Sequence, residues 1–210
     1  MNILKMHPTK EKIVDTAIDL FSRSGFSAVS IRDITQTVGI KESSLYYHFK
    51  NKDQLLHFIL DLFQAEIKKV RPPIEALDPI LQVRPPHVFL KQGLDKYKYY
   101  ICDNERMSKI SRIISIEQFA QPRARSILLD ELVEQNLKFL EIVFSKYIEL
   151  GVIHPFPVRL LAAEYQYPIL SMITQYQLLR IDGHDTSSLE QQMEEHITFF
   201  LHKTAKGDVV

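Results

Sequence analysis

Ile40-Lys-Glu-Ser-Ser-Leu-Tyr-Tyr-His-Phe-Lys-Asn-Lys-Asp-Gln-Leu-Leu56 decides how this chain is read. It reads as a short helix, a three-residue break and the start of a longer helix. With Leu45 taken as the inward direction and the helical period applied, Phe49 falls on the same side. Ser43, Ser44 and Tyr47 fall on the opposite side, with Tyr46 and His48 on the flanks. A short helix with two apolar anchors and an outer face of hydroxyls, aromatic rings and an imidazole is suited to a polar partner. Val38-Gly39-Ile40 supplies a glycine turn after another short helical pattern, so the whole reads as a helix-turn-helix. The outer face of its second helix is where base edges and phosphates would be met.

The flanking patterns are helical as well. Ile13, Val14, Ala17, Ile18 and Phe21 form one stripe from about Thr9 to Ser24, and Gly25 stands at the C-terminal cap. Ser30-Ile-Arg-Asp33 is a capping-box variant opening a second helix with Ile31, Ile34 and Val38 inward. Asn51-Lys-Asp-Gln54 caps a fourth helix striped by Leu55, Leu56, Ile59, Leu60, Phe63 and Ile67. Five prolines between Arg71 and Pro86 predict a non-helical joint between a head and a larger body, or an irregular loop packed within one domain. Beyond it, helices are expected near 86–103, 105–119, 122–150, 157–182 and 187–204. Ser187-Ser-Leu-Glu190 reads as the capping box of the last. Few glycines and no alternating runs make the chain all-α, with about nine helices: a three-helix head over 1–52 and a helical body over 53–210.

Composition narrows the function classes. The chain has 210 residues and no net charge, with 26 basic and 26 acidic side chains. Residues 1–52 hold eight Lys and Arg against five Asp and Glu, so the positive excess sits with the helix-turn-helix. The single cysteine, Cys102, excludes an intrachain disulfide and fits a cytoplasmic protein. No apolar run is long enough to span a membrane, and the N-terminal residues lack a signal-peptide pattern. The eight histidines offer no metal spacing, and no nucleophile, phosphate or dinucleotide motif is present, so neither a metal, a cofactor nor an enzymatic activity is expected.

The strings IVDTAIDLFSRSGF and VSIRDITQTVGIKESSLYYHFKNKDQLL, within Thr9–Leu56, closely resemble the N-terminal domain of the TetR (tetracycline repressor) family of bacterial transcriptional regulators. The resemblance implies an all-α homodimer whose diverged C-terminal domain holds a small-molecule pocket. It implies that Arg32 reaches a base, where an arginine can pair with both acceptors of a guanine edge. Ser43 and Ser44 match base-facing positions, and Tyr46 and Tyr47 match contacts to phosphates, sugars or thymine methyls. His48 and Lys52 match phosphate contacts, joined by the first-turn N–H groups of the fourth helix. One departure stands out: Lys41 occupies the cap position of the recognition helix, where it offers no side-chain oxygen, and Glu42 follows it. Tyr46, Tyr47 and His48 could instead pack on the body, and Arg32 could pair with Asp33 or Asp15.

In the body, Phe89, Tyr97, Tyr100, Met107, Ile110, Ile114, Glu117 and Phe119 are the candidates for a ligand pocket, with ordinary core packing as the plain alternative. Tyr165, Ile169, Leu170, Ile173 and Tyr176, with Leu189, Met193, Ile197, Phe200 and Leu201, are the candidate homodimer interface, completion of the protomer core being the alternative. The function expected is a cytoplasmic, homodimeric repressor that binds a near-palindromic double-stranded DNA operator. A small, largely apolar or aromatic effector would release it, with the fourth helix as lever. An activator or corepressor-dependent regulator, or a DNA-binding scaffold without a ligand, remain the alternatives.

Overall fold

The computed structural model describes residues 6–206; that part of the signal-peptide reading which falls on residues 1–5 lies outside them. Among the described residues the chain is all-α, and all nine expected helices form, one of them in two parts and with a tenth added. In order the α-helical segments are α1 (Pro8–Ser24), α2 (Ile31–Val38), α3 (Glu42–His48), α4 (Lys52–Ile67), α5 (Leu77–Val83), α6 (Pro86–Lys98), α7 (Glu105–Glu117), α8 (Pro122–Ser126), α9 (Gln135–Glu149), α10 (Val158–Ile181) and α11 (Ser187–Thr204). The expected helix over 122–150 is helical from Pro122 to Glu149, with a π-helical stretch, Ile127–Glu134, between α8 and α9. Helix α6 likewise runs on through a π-helical turn, Tyr99–Asp103.

Helix α5 is an addition in the proline-rich stretch. Pro79 stands in its first turn, where a missing N–H costs nothing because that group has no intrahelical partner anyway. Proline density therefore did not prevent a helix; it fixed where one begins. Helix α11 also starts differently from the expectation. Thr186 occupies the cap position without a side-chain bond, and Asp185 instead accepts from the Ser187 N–H at 3.1 Å.

The chain forms two compact units whose boundaries do not follow the 52/53 division. The first runs to Lys68 and resumes over Asp103–Leu132; the second takes Lys69–Cys102 and everything from Val133 onward. In the first unit α7 packs along α1 and α4, and α8 closes against α4 and α7. Its core is continuous from Ile13, Phe21 and Ile34 through Leu45, Leu55, Ile59 and Phe63 to Ile110 and Ile113, all without exposed surface. The helix-turn-helix thus shares one core with a segment more than forty residues further along the chain. In the second unit α9 packs on α10, α10 on α11, α11 on α6, and α5 on α9. Phe144, Tyr165 and Phe200 meet there with ring centroids 5.3–6.1 Å apart.

Candidate nucleic-acid interface and cavity

The presentation of α3 follows from its anchors. Leu45 is fully buried, and Phe49, which leaves the helix in an extended conformation, is buried too. Phe49 meets Phe58 edge to face at 5.5 Å, and the Lys10 ammonium lies 4.2 Å from the Phe58 centroid. The opposite face is left to solvent: Ser43, Tyr46 and Tyr47 are exposed, Tyr47 at 86%, while Ser44 and His48 are half-buried. Lys41 forms no side-chain cap bond, so α3 starts uncapped as its sequence indicates.

Arg32, on α2, is exposed, and neither neighbouring carboxylate claims it. Asp33 is committed to the capping box: its Oδ2 accepts from the Ser30 N–H at 2.7 Å, and its own N–H donates to Ser30 Oγ at 3.1 Å. The hydrogen bonds from the Ser30 side chain and backbone hold the Asp33 carboxyl below its ordinary pKa. Asp15 pairs with Arg106 at 3.1 Å. Among the described residues the guanidinium of Arg32 has no ion-pair partner.

His48 lies between His7, with ring centroids 5.7 Å apart, and Tyr47, at 5.1 Å edge to face. Burial first, then the nearby His7 and Lys10, push its imidazole below the usual pKa. Lys52 is largely committed within the protein. Its ammonium donates to the carbonyls of Phe26 at 2.8 Å and Val29 at 2.7 Å, and sits 4.3 Å from the Phe26 ring centroid. Two of its three N–H groups are spent on pinning the α1–α2 turn, which leaves one uncommitted. Lys50 was not singled out in the sequence; it is exposed beside α4 and has no ion pair among the described residues. Its position two residues before Lys52, outside any apolar stripe, was the available signal.

The turn that Lys52 pins is held from its other side by Glu117. This buried carboxylate accepts the Phe26 N–H through Oε1 at 2.8 Å. It also limits the space at Gly25, where an added Cβ would come within 3.4 Å of Oε1 and where φ is +78°. Glu117 therefore belongs to the support of the helix-turn-helix and not to a ligand pocket. Met107, Ile110 and Ile114 are likewise packed in the first unit's core, and Phe119 is 86% exposed.

A cavity of about 220 Å³ lies within the second unit. Of the candidate pocket residues, Phe89 and Tyr97 line it, and Tyr100 does not. The other walls come from Val70, Arg71 and Pro72, from Ile80 on α5 and Arg84 just after it, from Asn136, Phe139 and Leu140 on α9, and from Tyr165, Gln166, Ile169 and Leu170 on α10. No local pattern links these positions; Gly93, an unexplained glycine in the middle of α6, is the one sequence mark of open space beside that helix.

The residues taken as the dimer interface fall inside the protomer. Tyr165, Ile169, Ile173, Tyr176, Leu189, Met193, Ile197, Phe200 and Leu201 are all buried, and Leu170 is half-buried at the cavity. The reason is that α6 and α9 cover the apolar sides of α10 and α11. A different stripe of α10 faces solvent: Leu160, Tyr167, Leu178 and Ile181, each at least half exposed, with Phe199 on α11.

Comparison with known proteins agrees with this geometry. Residues 13–59 match the pattern of the bacterial regulatory proteins of the tetR family. Over 46 residues the chain is 48% identical to the biofilm operon icaADBC HTH-type negative transcriptional regulator IcaR of Staphylococcus epidermidis. That match covers 22% of this chain and only 25% of the relative, and the same figures hold for IcaR of Staphylococcus aureus strain Newman. Across nearly the whole length the fold matches SmeT, repressor of the Stenotrophomonas maltophilia multidrug efflux pump SmeDEF, with a TM-score of 0.67 and 17% identity over 97% of this chain and 94% of that one. SmeT in complex with triclosan gives a TM-score of 0.70 at 17% identity, over 96% and 94% of the two chains. A regulator from Saccharomonospora viridis in complex with choline gives 0.64 at 17% identity, over 96% and 100%. At such identities the structures establish the fold, while residues 13–59 carry the sequence signature of the bacterial regulatory proteins of the tetR family.

Proposed function

We propose that this protein is a homodimeric, ligand-responsive transcriptional repressor acting in the cytoplasm, where its operator would be. The observation that carries the reading is the outer face of α2 and α3: Arg32 without an ion-pair partner beside Ser43, Tyr46 and Tyr47, all exposed. The bland partners of Arg32 are occupied, Asp33 by Ser30 and Asp15 by Arg106, so its guanidinium is available to a guanine edge. In this reading Ser43 and Ser44 face the bases, Tyr46 and Tyr47 contact the sugar-phosphate backbone and thymine methyls, and His48, Lys50, Lys52 and the first turn of α4 hold phosphates.

Two copies would pair through the exposed stripe Leu160, Tyr167, Leu178 and Ile181 with Phe199, setting two recognition helices on a two-fold operator. The cavity of the second unit favours a ligand-responsive regulator over a scaffold with a filled body. A ligand there lowers DNA affinity only by binding the DNA-incompetent arrangement more tightly than the competent one. Repression, as in IcaR and SmeT, is the sense adopted for this chain.

The experiment is a binding titration against DNA fragments from upstream of the protein's own gene and its neighbours. A footprint with two-fold symmetry, lost in Arg32→Ala with Tyr47→Ala, is expected. A single unsymmetrical contact, or a footprint that survives the double change, contradicts the reading. Sedimentation at micromolar concentration tests the pairing: a monomeric wild type, or a dimer left intact by Tyr167→Glu and Leu178→Glu, rules out the α10 stripe.

A further inference from the structure

We infer that the cavity of the second unit takes a compact amphipathic acid, its apolar body among Phe89, Leu140 and Ile169 and its anionic head between Arg84 and Lys96. This rests on the ligand-responsive reading above and adds the chemical class of the ligand.

Charge is the first argument. The chain as a whole balances 26 basic against 26 acidic residues, yet the cavity is lined by Arg71, Arg84 and Lys96 and by no carboxylate. The bias is therefore local. Along α6 the contrast is sharper: Lys91 pairs with Glu194 and Lys98 with Glu190, whereas Lys96, which reaches the cavity, has no ion pair among the described residues. Arg84 donates to Gln92 Oε1 at 2.7 Å, a neutral partner that orients the guanidinium without neutralising it. An apolar cavity with a basic mouth would repel an ammonium and reward a carboxylate or comparable anion, which gains charge-assisted hydrogen bonds there.

Tyr97 supplies the second argument. Its side chain keeps accessible surface although burial raises the phenol's pKa well above the ordinary value. Tyr97 is one of the residues that line the cavity. Its hydroxyl makes no hydrogen bond to any described residue, and as a neutral phenol it stands ready to donate. A ligand acceptor in the cavity would give this hydroxyl a hydrogen-bond partner.

Size is the third. Gly93 stands one helical turn before Lys96 and Tyr97, and a Cβ added to it would meet nothing within 4 Å. The glycine therefore adds no bulk to the cavity wall that α6 supplies. The cavity volume of about 220 Å³ falls below the roughly 300–1,000 Å³ usual for small-molecule sites, so the acid is short-chained or single-ringed.

The test compares octanoate, 1-octanol and octylamine, which share one chain and differ in the head group, by calorimetric titration of the full protein. Octanoate is expected to bind at least about tenfold more tightly than either of the others. Arg84→Gln combined with Lys96→Gln should erase that preference while leaving octanol binding unchanged. Both side chains are exposed, so an unaltered melting temperature verifies folding. Octanol or octylamine binding as tightly as octanoate overturns the anionic assignment, as does an octanoate preference that survives the double change, or no binding by any of the three. Release from DNA is a separate readout. If octanoate binds with the expected preference but the DNA complex persists, the ligand-responsive reading fails and the cavity assignment stands.

Discussion

The outer face of α3 and the cavity of the second unit are built on opposite plans. Around α3 the protein is packed solid, and function is displayed outward: Leu45 has no exposed surface while Tyr47, two residues on, is 86% exposed. In the second unit the function proposed here is enclosed, and open space is kept among α6, α9 and α10. A displayed surface needs rigid support, because the geometry of a base contact is set by what lies beneath it. An enclosed site needs a gap, and its walls pay for that in lost packing. The difference should appear directly in how equivalent changes are tolerated.

The largest effect is expected at Leu45→Ala. Full burial in a packed core places it in the roughly 2–5 kcal/mol range for such truncations, and DNA binding should be lost with it. Leu170→Ala, at a half-buried wall that already borders empty space, should cost clearly less in the same denaturant titration. Equal losses at the two sites would remove the distinction between a solid support and a hollow site.

Glu117→Ala comes next. It leaves the buried Phe26 N–H without its acceptor, a loss of about 1–3 kcal/mol in thermal unfolding, and it should loosen the turn that Lys52 holds from the other side. Glu117→Gln retains an acceptor oxygen and should recover most of the loss. If Ala and Gln behave alike, the hydrogen bond is not what matters at this position.

Arg32→Ala should leave folding untouched and cost roughly 1–3 kcal/mol of DNA affinity, concentrated at one base-pair position. A uniform loss across sequences would make Arg32 a backbone contact instead.

The smallest effects concern His48 and Gly93. Burial and the neighbouring His7 and Lys10 hold the His48 imidazole below its ordinary pKa. As pH falls through that depressed value it gains charge beside the proposed phosphates, and DNA binding should tighten modestly; His48→Gln should flatten this. For stability the sign is opposite. The unfolded chain takes up the proton first, so the contribution of this group is complete above its unfolded pKa and is lost as pH falls. Gly93→Ala, which meets open space in a helix interior, should stabilise by about 0.5–1 kcal/mol.

The legibility of the two regions in the sequence differed for the same reason. The α3 face could be read because its anchors, its polar side and its flanking caps all lie within seventeen consecutive residues, and helical period alone sorts them. The capping box of Ser30 and Asp33 is equally local and forms as read. The cavity walls are drawn from residues between Val70 and Leu170, and nothing in one segment records what faces it from another. Glu117 illustrates this: in its own helix it looks like a lone polar group on an apolar face, and only its bond to Phe26, 91 residues earlier, explains it. Helix α10 misled for a related reason. It is apolar on more than one side, and periodicity cannot tell which side α6, α9 and α11 will cover. Tyr165, Ile169 and Ile173 went inward, and Leu160, Tyr167, Leu178 and Ile181 stayed out.

The central claim is that the α2–α3 face reads duplex DNA through a partner-free Arg32 set among phosphate contacts. The most direct measurement is the affinity of the wild type, Arg32→Ala and Tyr47→Ala for one footprinted site and for scrambled duplex, across a range of salt concentrations. The account predicts a steep fall of affinity with salt for all three, and a preference for the site over scrambled duplex that collapses in Arg32→Ala. Salt-independent binding, or a site preference that Arg32→Ala leaves intact, would contradict it.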